Sequence, residues 1–231
     1  MKRSLIISRY NEDLNWLHEI TDFDKIIYNK GEELLDNKFE KVISLPNVGR
    51  ESHTWLFHIV NNFNCLAEDN IFLQGRIDDL GCMAHQDPNK YMKDLNKYGF
   101  STSRSGLLGP FHWKMNVGIE KNSKYAKEWE RNEIGRSNLG FRKFAKNLFP
   151  EIPIFLVTSY GGCFAVKKDL IRIHDLNFYK NLLDILSSHK NPIEGHYLER
   201  LWCYMFTKNR PFWRSIKDVF LTKYERILLK K

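Results

Sequence analysis

Two sets of residues in this 231-residue chain have the types and spacing that chemistry needs. The later set begins at S-Y-G-G-C-F-A-V-K-K, from Ser159, and resumes after a helical insert as N-P-I-E-G-H-Y-L-E-R-L-W, ending at Trp202. Adjacent Gly161 and Gly162 suit a sharp turn or a close backbone approach to a ligand, since neither has a Cβ to clash. Glu194, just ahead of a predicted amphipathic helix, would hold its carboxylate at a mouth, where a general base belongs. Glu199 is a second carboxylate and His196 a third candidate for moving a proton. The plainer alternatives are a structural turn, a capping histidine, and ordinary surface charges on Glu199 and Arg200. Glu194 and Glu199 are too far apart along the helix to be interchangeable. One can serve as base while the other pairs with Arg200 or orients an acceptor.

The earlier set consists of four polar clusters: Arg9/Asn11/Glu12, Asn29/Lys30, Asn47/Arg50/Glu51 and Gln74/Asp78/Asp79. Asp78 and Asp79 could hold magnesium or manganese against a diphosphate, because hard cations take carboxylate oxygens and phosphates. A solvated acidic loop fits the same two residues. Gln74 could contact a sugar hydroxyl, and His85 is near enough in sequence to ligate. Arg50 stands at a strand-to-helix junction, where backbone donors of a helix N-terminus would join it on a phosphate. Its alternative is a salt bridge to Glu51. Arg9 and Lys30 invite the phosphate reading with less support.

The elements that must position these groups follow from hydrophobic pattern. Short apolar runs at Ser4 to Ser8, Lys25 to Tyr28, Lys41 to Leu45 and Ile71 to Leu73 read as buried strands. A helix is predicted from Ser52 to Phe63, with Trp55, Leu56, Ile59, Val60 and Phe63 on one face. Strands alternating with helices argue for a parallel, Rossmann-like sheet. In such sheets ligands bind outside the carboxyl ends of the strands, and the four polar clusters follow the four strands. Gly99 to Gly118 reads as a long active-site loop or lid, with His112 and Trp113 favouring acceptor contacts, or else as a surface excursion with no role. Tyr125 to Phe149 is helical in pieces, Ile154 to Val157 and Cys163 to Val166 are strands flanking the glycine pair, and Phe178 to Ser187 is an amphipathic helix. From Pro211 the chain reads as a final packing helix. The expectation is a single α/β domain with a mostly parallel sheet flanked by helices. Residues 1–85 form its nucleotide-binding half and residues 86–231 its acceptor-binding half.

Composition narrows the function classes. Hydrophobic residues make up 42% and aromatics 14%, enough for a packed core and too much for a disordered chain. The net charge of +8 comes from 36 Lys+Arg against 28 Asp+Glu, which suits nucleic acid, an anionic membrane face or an anionic small substrate. The basic residues are dispersed and no nucleic-acid-binding signature appears, so nucleic acid is set aside. The four cysteines form no Cys-x-x-Cys pair, which excludes a zinc ribbon and points to a reducing, cytoplasmic setting. No apolar run has the length of a membrane span, and association with the inner face of a membrane would be peripheral. The absence of a P-loop, of G-x-G-x-x-G and of G-x-S-x-G counts against nucleotide hydrolysis, dinucleotide redox chemistry and α/β-hydrolase chemistry.

Several motifs carry a resemblance. The opening L-I-I-S-R-Y-N-E-D resembles the first strand and turn of GT-A-type glycosyltransferases. The run P-N-V-G-R-E-S-H-T-W-L is similar to the N-x-G-R-D motif of rhamnan-synthesis F-type proteins. S-Y-G-G-C-F-A-V and E-G-H-Y-L-E-R-L-W resemble that group's glycine-rich strand and its acidic helix. The whole set is most similar to a domain family known only as one of unknown function. The resemblance implies a GT-A-like fold and sugar transfer from a nucleotide-diphosphate donor to a glycan or lipid-linked acceptor, in building a surface polysaccharide or glycan. It implies nucleotide contacts from Arg9, Asn11 and Glu12, and a metal at Asp78 and Asp79. It places the base at Glu194 or Glu199. The strand ends in Q-G-R-I-D-D with no Asp-x-Asp, so Arg50 or Lys30 could stabilise the leaving diphosphate instead of a cation. Two rivals share these features: a non-catalytic nucleotide- or sugar-binding module, and a nucleotidyltransferase.

Overall fold

The computed structural model describes residues 2–34, 39–76, 87–110, 126–135, 137 and 139–207. Four strands open the chain, β1 (Arg3–Arg9), β2 (Asp24–Asn29), β3 (Val42–Ser44) and β4 (Asp69–Gln74), with helix α1 (Arg50–Asn62) between the last two. Then come α2 (Asn89–Tyr98), β5 (Phe100–Thr102), β6 (Ser105–Leu108), α3 (Ala126–Glu130), α4 (Phe141–Leu148), β7 (Leu156–Ser159) and β8 (Phe164–Lys167). Helices α5 (Lys168–Ile171), α6 (Leu176–Leu186) and α7 (Ile193–Thr207) complete the described part.

The main sheet has the order β3-β2-β1-β4-β8-β5. The pairs β1–β2, β1–β4 and β2–β3 are parallel, while β8 pairs antiparallel with both β4 and β5. Only β8 therefore runs against the other five. Strands β6 and β7 form a separate antiparallel pair. The alternation of side chains explains the two layers around the main sheet. Leu5, Ile7, Ile71 and Leu73 pack with Leu14, Leu17, Tyr91 and Leu95 on one face. Ile6, Phe72 and Phe164 point to the other, where Trp55, Leu182 and Trp202 close over them. Both faces are covered, which is why the central strands read as unbroken apolar runs.

The β1-to-β3 segment winds in one direction, and α1 then carries the chain back across to β4 on the other side of β1. The switch leaves a crevice at the carboxyl ends of β1 and β4. Helix ends are fixed locally. Asp175 accepts a hydrogen bond from the Phe178 amide at 2.7 Å and starts α6. Gly99, at φ +74, stops α2 with its N–H on the Leu95 carbonyl.

Some expectations need correction. The stretch from Gly99 is not a loop throughout: β5 and β6 occupy its first half, with Phe100 and Leu108 buried. Its Gly- and Ser-rich composition gives no strand pattern, and pairing with β8 and β7 makes these residues strands. The expected strand at Ile154 begins two residues later, because Ile154 and Phe155 are exposed and follow Pro153, which has no N–H to give a ladder. The predicted helix beyond Pro211 lies outside the described residues. Among the described residues no helix is long and apolar enough to cross a membrane, and Cys65, Cys163 and Cys203 are free thiols.

Candidate functional site

The described residues of the polar clusters after β1, β2, β3 and β4 lie along one edge, and hydrogen bonds join that edge to the glycine pair. Arg9, at the end of β1, is buried. Its Nη1 donates to Asn29 Oδ1 at 2.7 Å and to the Glu32 carbonyl at 2.9 Å, and its Nε donates to the Glu12 carbonyl. Asn29 gives its own amide to the Glu32 carbonyl, and Asn11 Oδ1 accepts from the Glu32 N–H. Arg9, Asn11 and Asn29 thus hold the two loops together. The guanidinium expected to meet a nucleotide is engaged inside the protein.

Lys30 behaves in the same way. Its Nζ donates to the carbonyls of Val48 (2.6 Å) and Arg50 (2.5 Å), which folds the β3–α1 loop against the end of β2. Gly49 (φ +61) and Arg50 (φ +50) are both left-handed there, a costly conformation for arginine that the lysine clamp helps to hold. Burial brings the Lys30 ammonium down to about 7, with Glu51 acting in the opposite direction. Burial, then the Lys30 charge, depresses neighbouring His53 to about 4. Arg50 is half-buried and lies 3.5 Å from Glu51, the ion pair foreseen as its alternative.

At the crevice itself, Glu12 Oε2 accepts the Tyr10 N–H at 2.6 Å, and the carboxylate lies so close to Gly75 that a Cβ there would come within 2.9 Å of it. The result is an open cleft of about 610 Å³. Tyr10, Asn11, Glu12 and Asp13 line it from the β1 side, Gly75 and Arg76 from the β4 side, and Trp16 closes it. The Trp16 indole N–H donates to the Gly75 carbonyl at 3.0 Å. Tyr10, Trp16 and Arg76 were not singled out by sequence; two aromatics after β1 and a basic residue after β4 were the signal available.

From Gly75 the network continues across the sheet. Gln74 Nε2 donates to the Gly161 carbonyl at 3.1 Å. Gly161 and Gly162 both have positive φ, +85 and +69. A Cβ on Gly162 would crowd Glu51 Oε1 and Gln74 Nε2 at about 3 Å, so the turn can approach only because it is glycine. The Trp55 indole donates to the Gly162 carbonyl at 3.0 Å. Glu199 Oε1 accepts the Gly161 N–H at 2.8 Å, and its Oε2 accepts from Arg200 Nη1 at 3.0 Å.

Glu199 is therefore one link from the strand that walls the cleft. Glu194 is elsewhere on α7: half-buried, it bears on the Tyr197 ring, whose hydroxyl burial and that carboxylate together push up to about 12. His196 Nε2 lies 3.1 Å from Asn191 Oδ1. Burial, then Arg50 and Arg200, hold His196 down at about 3, so it is neutral near pH 7. Asp78, Asp79, His85, His112 and Trp113 lie outside the described residues. Among the described residues no group of three or more His, Cys, Asp or Glu is gathered as a cation would need.

Residues 5–219 match the family model described as Protein of unknown function (DUF3431). The chain belongs to this family. No curated protein matches it. The matched span takes in the main sheet except the first two residues of β1, the cleft and the Glu199-bearing helix, so the site is part of what the family model describes.

Proposed function

We propose that this DUF3431 chain is a glycosyltransferase that moves a sugar from a nucleotide-diphosphate donor to an acceptor hydroxyl. The observation that carries the reading is the open cleft at the β1/β4 switch point, linked through Gln74 and Gly161 to an oriented carboxylate. Donor nucleotides bind at such crevices because strand ends and loop amides converge there. Asn11, Glu12 and Asp13 offer acceptors to sugar hydroxyls, Tyr10 and Trp16 offer ring faces to a base, and Arg76 offers charge to a phosphate. The motif resemblance to GT-A-type transferases points the same way.

Of the two candidate bases, Glu199 is the better placed. It takes the proton from the acceptor hydroxyl, whose oxygen forms a bond to the anomeric carbon as the bond from that carbon to the diphosphate breaks. The products are the glycosylated acceptor and the free nucleoside diphosphate. Arg200 holds Glu199 in one rotamer, and the Gly161 N–H fixes the direction of its other oxygen. The cation expected at Asp78 and Asp79 rests on residues outside the described part, and no step is routed through it. Arg76 at the cleft and half-exposed Arg50 are described groups that can take up charge developing on the diphosphate.

Calorimetry with UDP-, GDP- and dTDP-sugars, each with and without manganese, is the test, followed by product analysis. Binding to none of them, by folded protein, ends the proposal. Release of pyrophosphate in place of nucleoside diphosphate would make the protein a nucleotidyltransferase. Glu199→Gln is expected to lower turnover about 10²–10⁴-fold with donor affinity retained. Because both Glu199 oxygens are already hydrogen-bonded, a binding module without turnover is the second reading. Donor binding with no product from wild-type protein would select it.

A further inference from the structure

Next to the glycine pair, two arginines from distant parts of the chain converge on one ring. Tyr160 follows β7 directly. The guanidinium carbon of Arg104, between β5 and β6, lies 5.4 Å from its ring centroid, and that of Arg200, on α7, lies 5.5 Å away. The ring has little freedom, since a Cβ on Gly106 of β6 would come within 2.5 Å of its edge. Both groups are positive, so an anion reaching this ring is attracted by each of them.

Arg200 is also incompletely satisfied. It is buried, with 9% of its surface exposed. Nη1 is committed to the His196 carbonyl and to Glu199, but the buried Nε has no hydrogen-bond partner. A buried guanidinium N–H without an acceptor is unusual, and a ligand oxygen is one way it is completed. Arg50 and Arg200 together act on His196, and two carboxylates of the described residues here, Glu51 and Glu199, are each already bound to an arginine. Tyr160 and Arg104 are half-buried, so the ring and the first guanidinium can be reached from outside.

We propose that Arg104, Tyr160 and Arg200 form a subsite for a phosphoryl group of the acceptor, beside the Glu199 carboxylate. This rests on the glycosyl-transfer reading and narrows it, making the acceptor a phosphorylated sugar or alcohol. Phosphoryl oxygens accept from Arg200 Nε and from the Arg104 fork, the planar geometry that arginine offers to phosphate. The same grip leaves the hydroxyl of that molecule on the Glu199 side. The other possible source of a phosphoryl group is the donor's own diphosphate, which the test separates.

The full chain, labelled with ¹⁵N in arginine, is titrated with inorganic phosphate while the Arg200 Nε–H resonance is followed. A saturable shift is expected, weakened about tenfold in Arg104→Gln and partly recovered in Arg104→Lys, with the far-ultraviolet circular dichroism unchanged. No saturable shift in wild-type protein, or equal affinity in Arg104→Gln, overturns the subsite. Should Arg104→Gln fail to fold, the wild-type titration still decides. The titration is then repeated with the protein saturated by the nucleoside diphosphate that calorimetry identifies. Unchanged phosphate affinity supports an acceptor subsite; competition assigns the arginines to the donor and overturns it. Nucleoside diphosphate affinity in Arg104→Gln is expected to equal wild type, so loss of the subsite leaves the donor reading standing. If no nucleoside diphosphate binds, the donor reading and the acceptor assignment fall together.

Discussion

The loops after β1 and β2 are braced by cations turned inward, whereas the Gly161–Gly162 turn is braced by a carboxylate presented from a helix. Arg9 and Lys30 spend their donors on backbone carbonyls and one amide oxygen, deep against the sheet. Glu199 accepts from the turn with one oxygen and holds Arg200 with the other. The first arrangement makes a rigid wall. The second holds a group that can exchange a proton in a fixed position. The difference implies that substitutions on the wall act on stability and, if the proposed sugar transfer holds, those on the turn act on chemistry.

The wall is most easily broken at Gly31. A Cβ there would fall on the Tyr10 carbonyl oxygen and on Asn11 Oδ1, both in the adjoining loop. Neither loop can retreat without releasing Arg9 and Asn29. Gly31→Ala is expected to cost about 3 kcal/mol or more, read as a lower denaturant midpoint. Gly195→Ala on α7 is the counterpart. A Cβ there meets only ordinary contacts at 3.9 and 4.0 Å, and alanine in a helix gains up to about 1 kcal/mol over glycine. Equal losses in the two variants would remove the contrast between wall and helix.

Lys30→Met should cost about 2 kcal/mol, because two loop carbonyls lose a buried donor. Its pH dependence is the sharper readout. Burial lowers the Lys30 ammonium to about 7, so above that pH the folded chain has released a proton that the unfolded chain still holds. Stability from this group therefore rises from about pH 7 towards the ordinary lysine range, and is lost as pH falls back through about 7. Urea unfolding of wild type and Lys30→Met from pH 7 to 10 should diverge by up to about 1.4 kcal/mol per pH unit. Parallel curves would mean that the lysine is not buried as described.

Trp55→Phe probes the join between the two regions. The variant keeps a ring against Phe72, 5.3 Å away, but loses the N–H that holds the Gly162 carbonyl. About 1–2 kcal/mol of stability should go, with faster hydrogen exchange around Gly161 and Gly162 than around β1. Uniform loosening of both regions would show that they are one unit.

Much of the wall was legible beforehand, and for a definite reason. Strands buried on both faces leave contiguous apolar runs, so the polar residues after Ser8, Tyr28 and Leu73 marked the carboxyl edge; β3, expected to be buried as well, is an edge strand with Val42 exposed. What those polar residues do was not legible. Arg9 has the same charge whether it meets a phosphate or the Asn29 amide, and only the register of β1 on β2 decides. The direction of β8 was hidden too, because Phe164, Ala165 and Val166 are apolar on both faces whichever way the strand runs. The division between Glu194 and Glu199 could have been drawn further. Five residues on a helix turn a side chain by about 140°, so only one of them could face the glycine turn.

That division supplies the smallest effect. Glu194 bears on Tyr197, whose hydroxyl is raised to about 12 first by burial and then by this carboxylate. Glu194→Gln removes the second cause only, so the Tyr197 phenol should titrate somewhat lower, still above an ordinary tyrosine, by absorbance near the phenolate band. Stability should change by no more than about 0.5 kcal/mol, as for most half-exposed positions outside a network. Donor affinity and turnover should match wild type, where Glu199→Gln loses turnover. If turnover instead falls in Glu194→Gln and survives in Glu199→Gln, the base is on the Tyr197 side of α7. The carboxylate on the glycine turn would then be a brace of the same kind as Arg9.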